Sequence, residues 1–133
     1  MAPEQKDLVR RFVACEHWRW MPGMLDAETG LRVVKAGTDK DPRVGLGNLD
    51  NFILYYPDML KGHYPDLTDP ATLGCLLALV REVWGDRRAH VYHSYATGLW
   101  VWIVNGMACS VRVGVDGYDT EAEALVAALE AAP

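Results

Sequence analysis

Residues 99–115 read LWVWIVNGMACSVRVGV, and the class of the fold turns on them. Asn105-Gly106 is a strong two-residue hairpin signal, because both positions tolerate the positive φ that a type I′ turn requires. With those two residues as the turn, Leu99–Val104 and Met107–Val115 become antiparallel strands. Val104 then faces Met107, Trp102 faces Cys109 and Trp100 faces Val111, a side that is large and apolar throughout. The other side pairs Ile103 with Ala108, Val101 with Ser110 and Leu99 with Arg112, and is half polar. His90–Tyr95 supplies a third run, so a three-stranded meander is expected, with helices on its apolar side.

Outward from the meander, the helix signals are clear. Asp69-Pro70 opens the segment to Trp84, with Asp69 as N-cap and Pro70 at the first helical position, and Gly85 closes it. Leu73, Leu76, Leu77, Val80, Val83 and Trp84 make its apolar face wide, which predicts a helix largely buried against the sheet. Thr120-Glu121-Ala122-Glu123 reads as a capping box before a helix whose stripe is Ala124, Leu125, Ala128 and Leu129. Near the start, Leu8, Val9, Phe12 and Val13 predict a helix over residues 3–15. Leu31–Lys35 reads as a short strand and Phe52–Tyr56 as a buried one. Between them, residues 36–51 carry Asp, Gly and Pro without periodicity and read as loop. Two short echoes, Tyr56-Pro57-Asp58 and Tyr64-Pro65-Asp66, read as turns. The expectation is a single α+β domain, a small antiparallel meander packed with helices in an α-β-α sandwich-like arrangement over residues 1–133.

Bulk properties fit a packed globule. The chain has 133 residues, 50% hydrophobic and 23% charged, enough to fold without a disulfide or metal staple. Cys15, Cys75 and Cys109 are odd in number, contain no CxxC pair and predict reduced thiols. The N-terminal residues lack an apolar signal region, and no apolar run reaches the roughly 20 residues a bilayer demands, so a soluble cytoplasmic protein without membrane contact is expected. Net charge is −5; residues 1–66 hold nine Lys/Arg against ten Asp/Glu, and residues 67–133 four against eight. A partner defined by duplex nucleic-acid phosphates calls for a basic excess, which neither half has.

Motifs for catalysis are missing from the sequence. There is no GxSxG, HExxH, Walker loop or dinucleotide fingerprint, and Gly45-Leu46-Gly47 lacks the third glycine and following helix of a phosphate cradle. Cys15, His17, His63, His90 and His93 do not have zinc spacing. Neither a catalytic residue, a metal nor a cofactor is expected. His93 and Ser94 are neighbours in a predicted strand, so they point to opposite faces and cannot form a nucleophile–base pair. The most distinctive site candidate is Trp18-Arg19-Trp20, where two indoles flank a guanidinium, chemistry suited to a nucleobase or an anionic partner. Both Trp residues filling a core edge, with Arg19 facing water, is the structural alternative. Tyr92 and His93 complete the ligand-binding candidates.

The stretches FVACEHWRWMPGM (12–24), YPDLTDPATLGCLLALVREVWGD (64–86), the Trp-rich hairpin and TEAEALVAALEAAP (120–133) resemble hypothetical proteins of phages and prophages. Residues 64–133 are similar to the phage ABA sandwich domain family, and residues 36–63 look like an insertion or variable connection. The resemblance implies a phage accessory protein in the host bacterial cytoplasm, non-enzymatic and acting by binding. It would sequester a host protein or a small nucleotide-like ligand to antagonise host defence, with a homodimer completing the pocket as one form. A small hydrolase or nucleotide-modifying enzyme using Asp and His, and an oligomerisation domain without ligand, are the competing readings.

Overall fold

The computed structural model describes residues 3–133. The class is α+β: helices α1 (Pro3–Ala14), α2 (Pro70–Trp84), α3 (Cys109–Arg112) and α4 (Glu121–Glu130) accompany two three-stranded antiparallel sheets. The first sheet has the order β1 (Arg32–Lys35), β2 (Val44–Asn48), β3 (Asn51–Tyr55); the second has β4 (His90–His93), β5 (Trp100–Val104), β6 (Met107–Ala108). The chain divides into two compact units, Trp18–Cys75 and the combination of Met1–His17 with Leu76–Pro133.

In the unit that carries the second sheet, the Asn105-Gly106 turn forms as expected, with φ of 52° and 75° and Val104 opposite Met107. The third strand does not extend as expected. After Ala108 the chain enters the single turn of α3, closed by the Val113 N–H donating to Cys109 O. The pairs predicted for Trp102–Cys109, Trp100–Val111, Val101–Ser110 and Leu99–Arg112 are therefore absent. Instead, Tyr118 exchanges two backbone hydrogen bonds with Trp100, at 2.7 and 2.8 Å. Gly114, at φ 74°, turns the chain back, and Gly117 presses so closely on Leu99 that a Cβ there would lie 2.6 Å from the Leu99 Cβ. The side chains of Trp102 and Val104 are completely buried, as the apolar side requires, but Val101 on the opposite side is buried too.

The helix at the centre of this unit is α4 rather than α2. α4 packs on β4 and β5 on one side and on α1 on another, and it buries Ala122 and every residue from Ala124 to Leu129. A helix without a charged face between its ends belongs inside. Its N-cap forms, with the Glu123 N–H donating to Thr120 Oγ1; the reciprocal arm of the box lands one residue early, the Asp119 N–H donating to Glu123 Oε2. α2 buries a narrower set than its composition suggested: Thr72, Leu76, Leu79 and Val80. It ends as expected at Gly85, where the Asp86 N–H donates to Arg81 O.

In the unit Trp18–Cys75, residues 36–51 are not all loop. Residues 44–48 form β2, and Asn48-Leu49-Asp50-Asn51 makes the hairpin into β3. The glycines that suggested a loop have a packing reason. A Cβ on Gly45 would sit 2.8 Å from Phe52 Cδ2, and one on Gly47, at φ 146°, would sit 2.5 Å from Asn51 O and 2.8 Å from Phe52 Cα. Phe52 thus lies across the glycines of its neighbouring strand. β3, expected to be buried, is instead an edge strand, exposed from Asn51 to Ile53. Val33, Val44, Leu46, Leu60 and Met24 form this unit's interior.

Candidate functional site

Two chain segments flank β1 and shape the site. Met24–Ala27 bonds to Leu31 and Val33 on one side and to Tyr64–Asp66 on the other, so Leu25, β1, β2 and β3 present a continuous surface. Alternation places Leu46 opposite Ile53 and Asn48 opposite Asn51 on that surface. The result is an open groove of about 460 Å³, its wall formed by Leu25, Leu31, Leu46 and Ile53 together with Arg32, Asn48 and Asn51. That volume lies in the range of small-molecule sites, which combine apolar walls with a few polar groups.

The polar members differ in what they can offer. Asn48 Oδ1 already accepts from the Asp50 and Asn51 backbone N–H groups, leaving its amide NH2 as a donor. The carboxamide of Asn51 makes no hydrogen bond among the described residues. Arg32 is committed: its Nη1 donates to Gly23 O at 2.7 Å and to Asp69 Oδ2 at 2.9 Å. Asp69 in turn caps α2 by accepting from the Thr72 N–H and hydroxyl. The Arg32 guanidinium, aided by those Thr72 donors, holds the Asp69 carboxyl down to about 2. The groove is thus close to neutral, and a second charge has little to bind there.

Trp18, Arg19 and Trp20 belong to the same unit. The two indoles meet edge to face, ring centres 5.1 Å apart, both half-buried, with Arg19 exposed between them in sequence. At that distance they pack on each other and leave no slot for a base between their planes. None of the three is in the groove wall. Tyr92 and His93 lie on β4 in the other unit, and alternation turns them to opposite faces. Tyr92 rests near His90, while His93 packs against Trp100 and bonds through Nε2 to Gly98 O at 3.1 Å. His93 is thereby engaged in closing the turn between β4 and β5.

A pair the sequence did not single out stands apart from the groove. Asp26 is fully buried, and its Oδ2 accepts from Thr29 Oγ1 and from His63 Nδ1, both at 2.8 Å, while Oδ1 accepts from the Glu28 N–H. Bonding to a carboxylate assigns the Nδ1–H tautomer to a neutral His63, leaving Nε2 as an acceptor. The two residues are 37 apart in sequence, so no local spacing could announce them. Their signal was indirect: a lone Asp in an Asp-x-x-Thr-Gly turn, beside an apolar run.

No protein-family model, curated protein or solved structure matches this chain. The thiols are free; burial pushes that of Cys75 up, and it donates to Pro22 O. Among the described residues no three His, Cys, Asp or Glu converge as metal ligands, and no helix is long and apolar enough to cross a membrane.

Proposed function

We propose that the protein acts by binding, and that the groove between Leu25 and Ile53 takes a small, flat, neutral ligand with hydrogen-bonding edges, such as a nucleobase or nucleoside. The observation that supports this reading is the combination in one groove of an aliphatic wall with two carboxamides that retain free donors and acceptors. Leu25, Leu31 and Ile53 supply contact for a ring face above the buried Leu46, and Asn48 and Asn51 suit its polar edge. A phosphate gains little, because Asp69 already neutralises Arg32. The reading of a phage accessory protein that sequesters such a ligand or a host protein rests on the resemblance of residues 12–24 and 64–133, the small size and the absence of catalytic motifs from the sequence.

Thermal shift against a panel of nucleobases, nucleosides and nucleotides tests the reading. A ligand at one hundred times its Kd adds about 2.7 kcal/mol, which raises Tm by several degrees in a chain this size. The shift should vanish in Asn48→Ala/Asn51→Ala and persist in Trp18→Ala/Trp20→Ala. No response to any panel member, or loss of the response only in the Trp variant, refutes the groove assignment.

The Asp26–His63 pair favours a second reading, a small hydrolase in which His63 Nε2 takes a proton from an attacking group while Asp26 orients the ring. Turnover of a panel member that is lost in His63→Gln, with Tm retained, would establish that reading over the first.

A further inference from the structure

We propose that β3 is a self-pairing edge, through which two copies of this chain join into one continuous antiparallel sheet about a two-fold axis at Ile53. The edge is unpaired: β2 occupies one side of β3, and no other described segment bonds to its backbone. Alternate residues of Asn51–Tyr55 therefore turn N–H and C=O groups outward.

Edges normally carry a device against such pairing, such as a charge, a proline or a bulge. The opposite margin of this sheet has several. β1 is bulged between Val33 and Lys35, carries Arg32 and Lys35, and is bonded through Val33 to Gly23 and Met24. β3 has none. Its sequence, Asn-Phe-Ile-Leu-Tyr, is uncharged, its register with β2 is unbroken, and Ile53 is 59% exposed.

A second copy is the occupant that the charges fit. Antiparallel pairing about Ile53 sets Ile53 against itself once, on the axis, and Phe52 against Leu54 and Asn51 against Tyr55 twice each, as an isologous interface demands. The next pair sets Asp50 against Tyr56. Asp50 is the first charged residue beyond the strand, and its carboxylate has no partner among the described residues. Over the Tyr56 ring lies the Arg43 guanidinium, 5.9 Å from its centre. Arg43 gives Nε and Nη2 to Asp41, which Lys35 also pairs, so this cluster keeps one net positive charge and Arg43 Nη1 is left for another acceptor. The two-fold thus brings each Asp50 toward this net positive cluster of Arg43, Lys35 and Asp41. An unrelated extended peptide could satisfy the backbone ladder but has no built-in reason to supply that carboxylate.

The proposal goes beyond the groove reading, and the two can fail separately although Ile53 serves both, because size reports pairing, thermal shift reports occupancy, and Asp50 and Arg43 lie outside the groove wall. Sedimentation of the whole chain over a concentration series should show a monomer–dimer equilibrium. Ile53→Lys, which opposes two cations on the axis at an exposed site, should weaken it at least tenfold, with Tm unchanged at concentrations dilute enough to leave both proteins monomeric. Asp50→Lys should weaken it as well, and Asp50→Lys/Arg43→Glu should restore it. In hydrogen exchange the β3 amides should slow as the dimer fills. A monomer at every concentration overturns the proposal, as does a dimer indifferent to Ile53→Lys. Protection of β3 only upon adding an unrelated peptide would do so too.

Discussion

Asp69 serves two neighbours at once, capping α2 through Thr72 and pairing with Arg32. Because the guanidinium and the Thr72 donors hold its carboxyl at about 2, below the ordinary value near 4, folding favours the deprotonated form. The stabilisation is fully present above about pH 4 and is lost as pH falls through 2. Urea unfolding at pH 6 should find Asp69→Ala less stable by about 1–2 kcal/mol from the cap alone. At pH 2 the gap between the two proteins should narrow. The role of Asp69 as cap was legible from its place before Pro70; its second partner was not, since Arg32 lies 37 residues away. The same separation hid Asp26 from His63. Side chains that act locally can be read from spacing, whereas those that meet across a fold cannot.

Among the elements, the hairpin from β2 to β3 teaches most. Gly45 and Gly47 look like loop residues until Phe52 is placed across them, so a tertiary contact overrides the propensity. The consequence can be separated by substitution. Gly45→Ala should cost about 1–3 kcal/mol through overpacking, since its new methyl meets a movable ring. Adding Phe52→Ala should recover part of that loss in a double-mutant cycle of chemical denaturation. Gly47→Ala should remain damaged in the same background, because its obstacles include the backbone of Asn51 and Phe52 and its φ is positive. The second sheet was legible in β4, β5 and the turn at Asn105-Gly106, where local chemistry and tertiary structure agree. It failed past Ala108, because Val111, Val113 and Val115 have strand propensity while Gly114 and Gly117 redirect the chain. For α4 the apolar stripe was visible, but burial on all sides depends on α1 and on β4 and β5 together.

Taken whole, the molecule distributes its protection unevenly. Hydrogen exchange should be slowest in α4 and β5, whose side chains are the most completely buried, and fastest at the hairpin tip, where Leu49 is 81% exposed. Rapid exchange in α4 would contradict its central placement. That placement also bears on the order of synthesis. Arg11 on α1 bonds through Nε to Glu130 Oε2 at 3.3 Å, a partner 119 residues further on. Chains are made from the N-terminus at roughly 5–20 residues per second, and contacts of long sequence separation form late. On a ribosome, α1 and the second sheet emerge before the helix on which both rest exists. Leu8, Val9 and Phe12 must therefore spend several seconds without their native cover. Until residues 121–130 join them, those side chains remain an exposed apolar surface of the kind that makes partly made chains prone to aggregate.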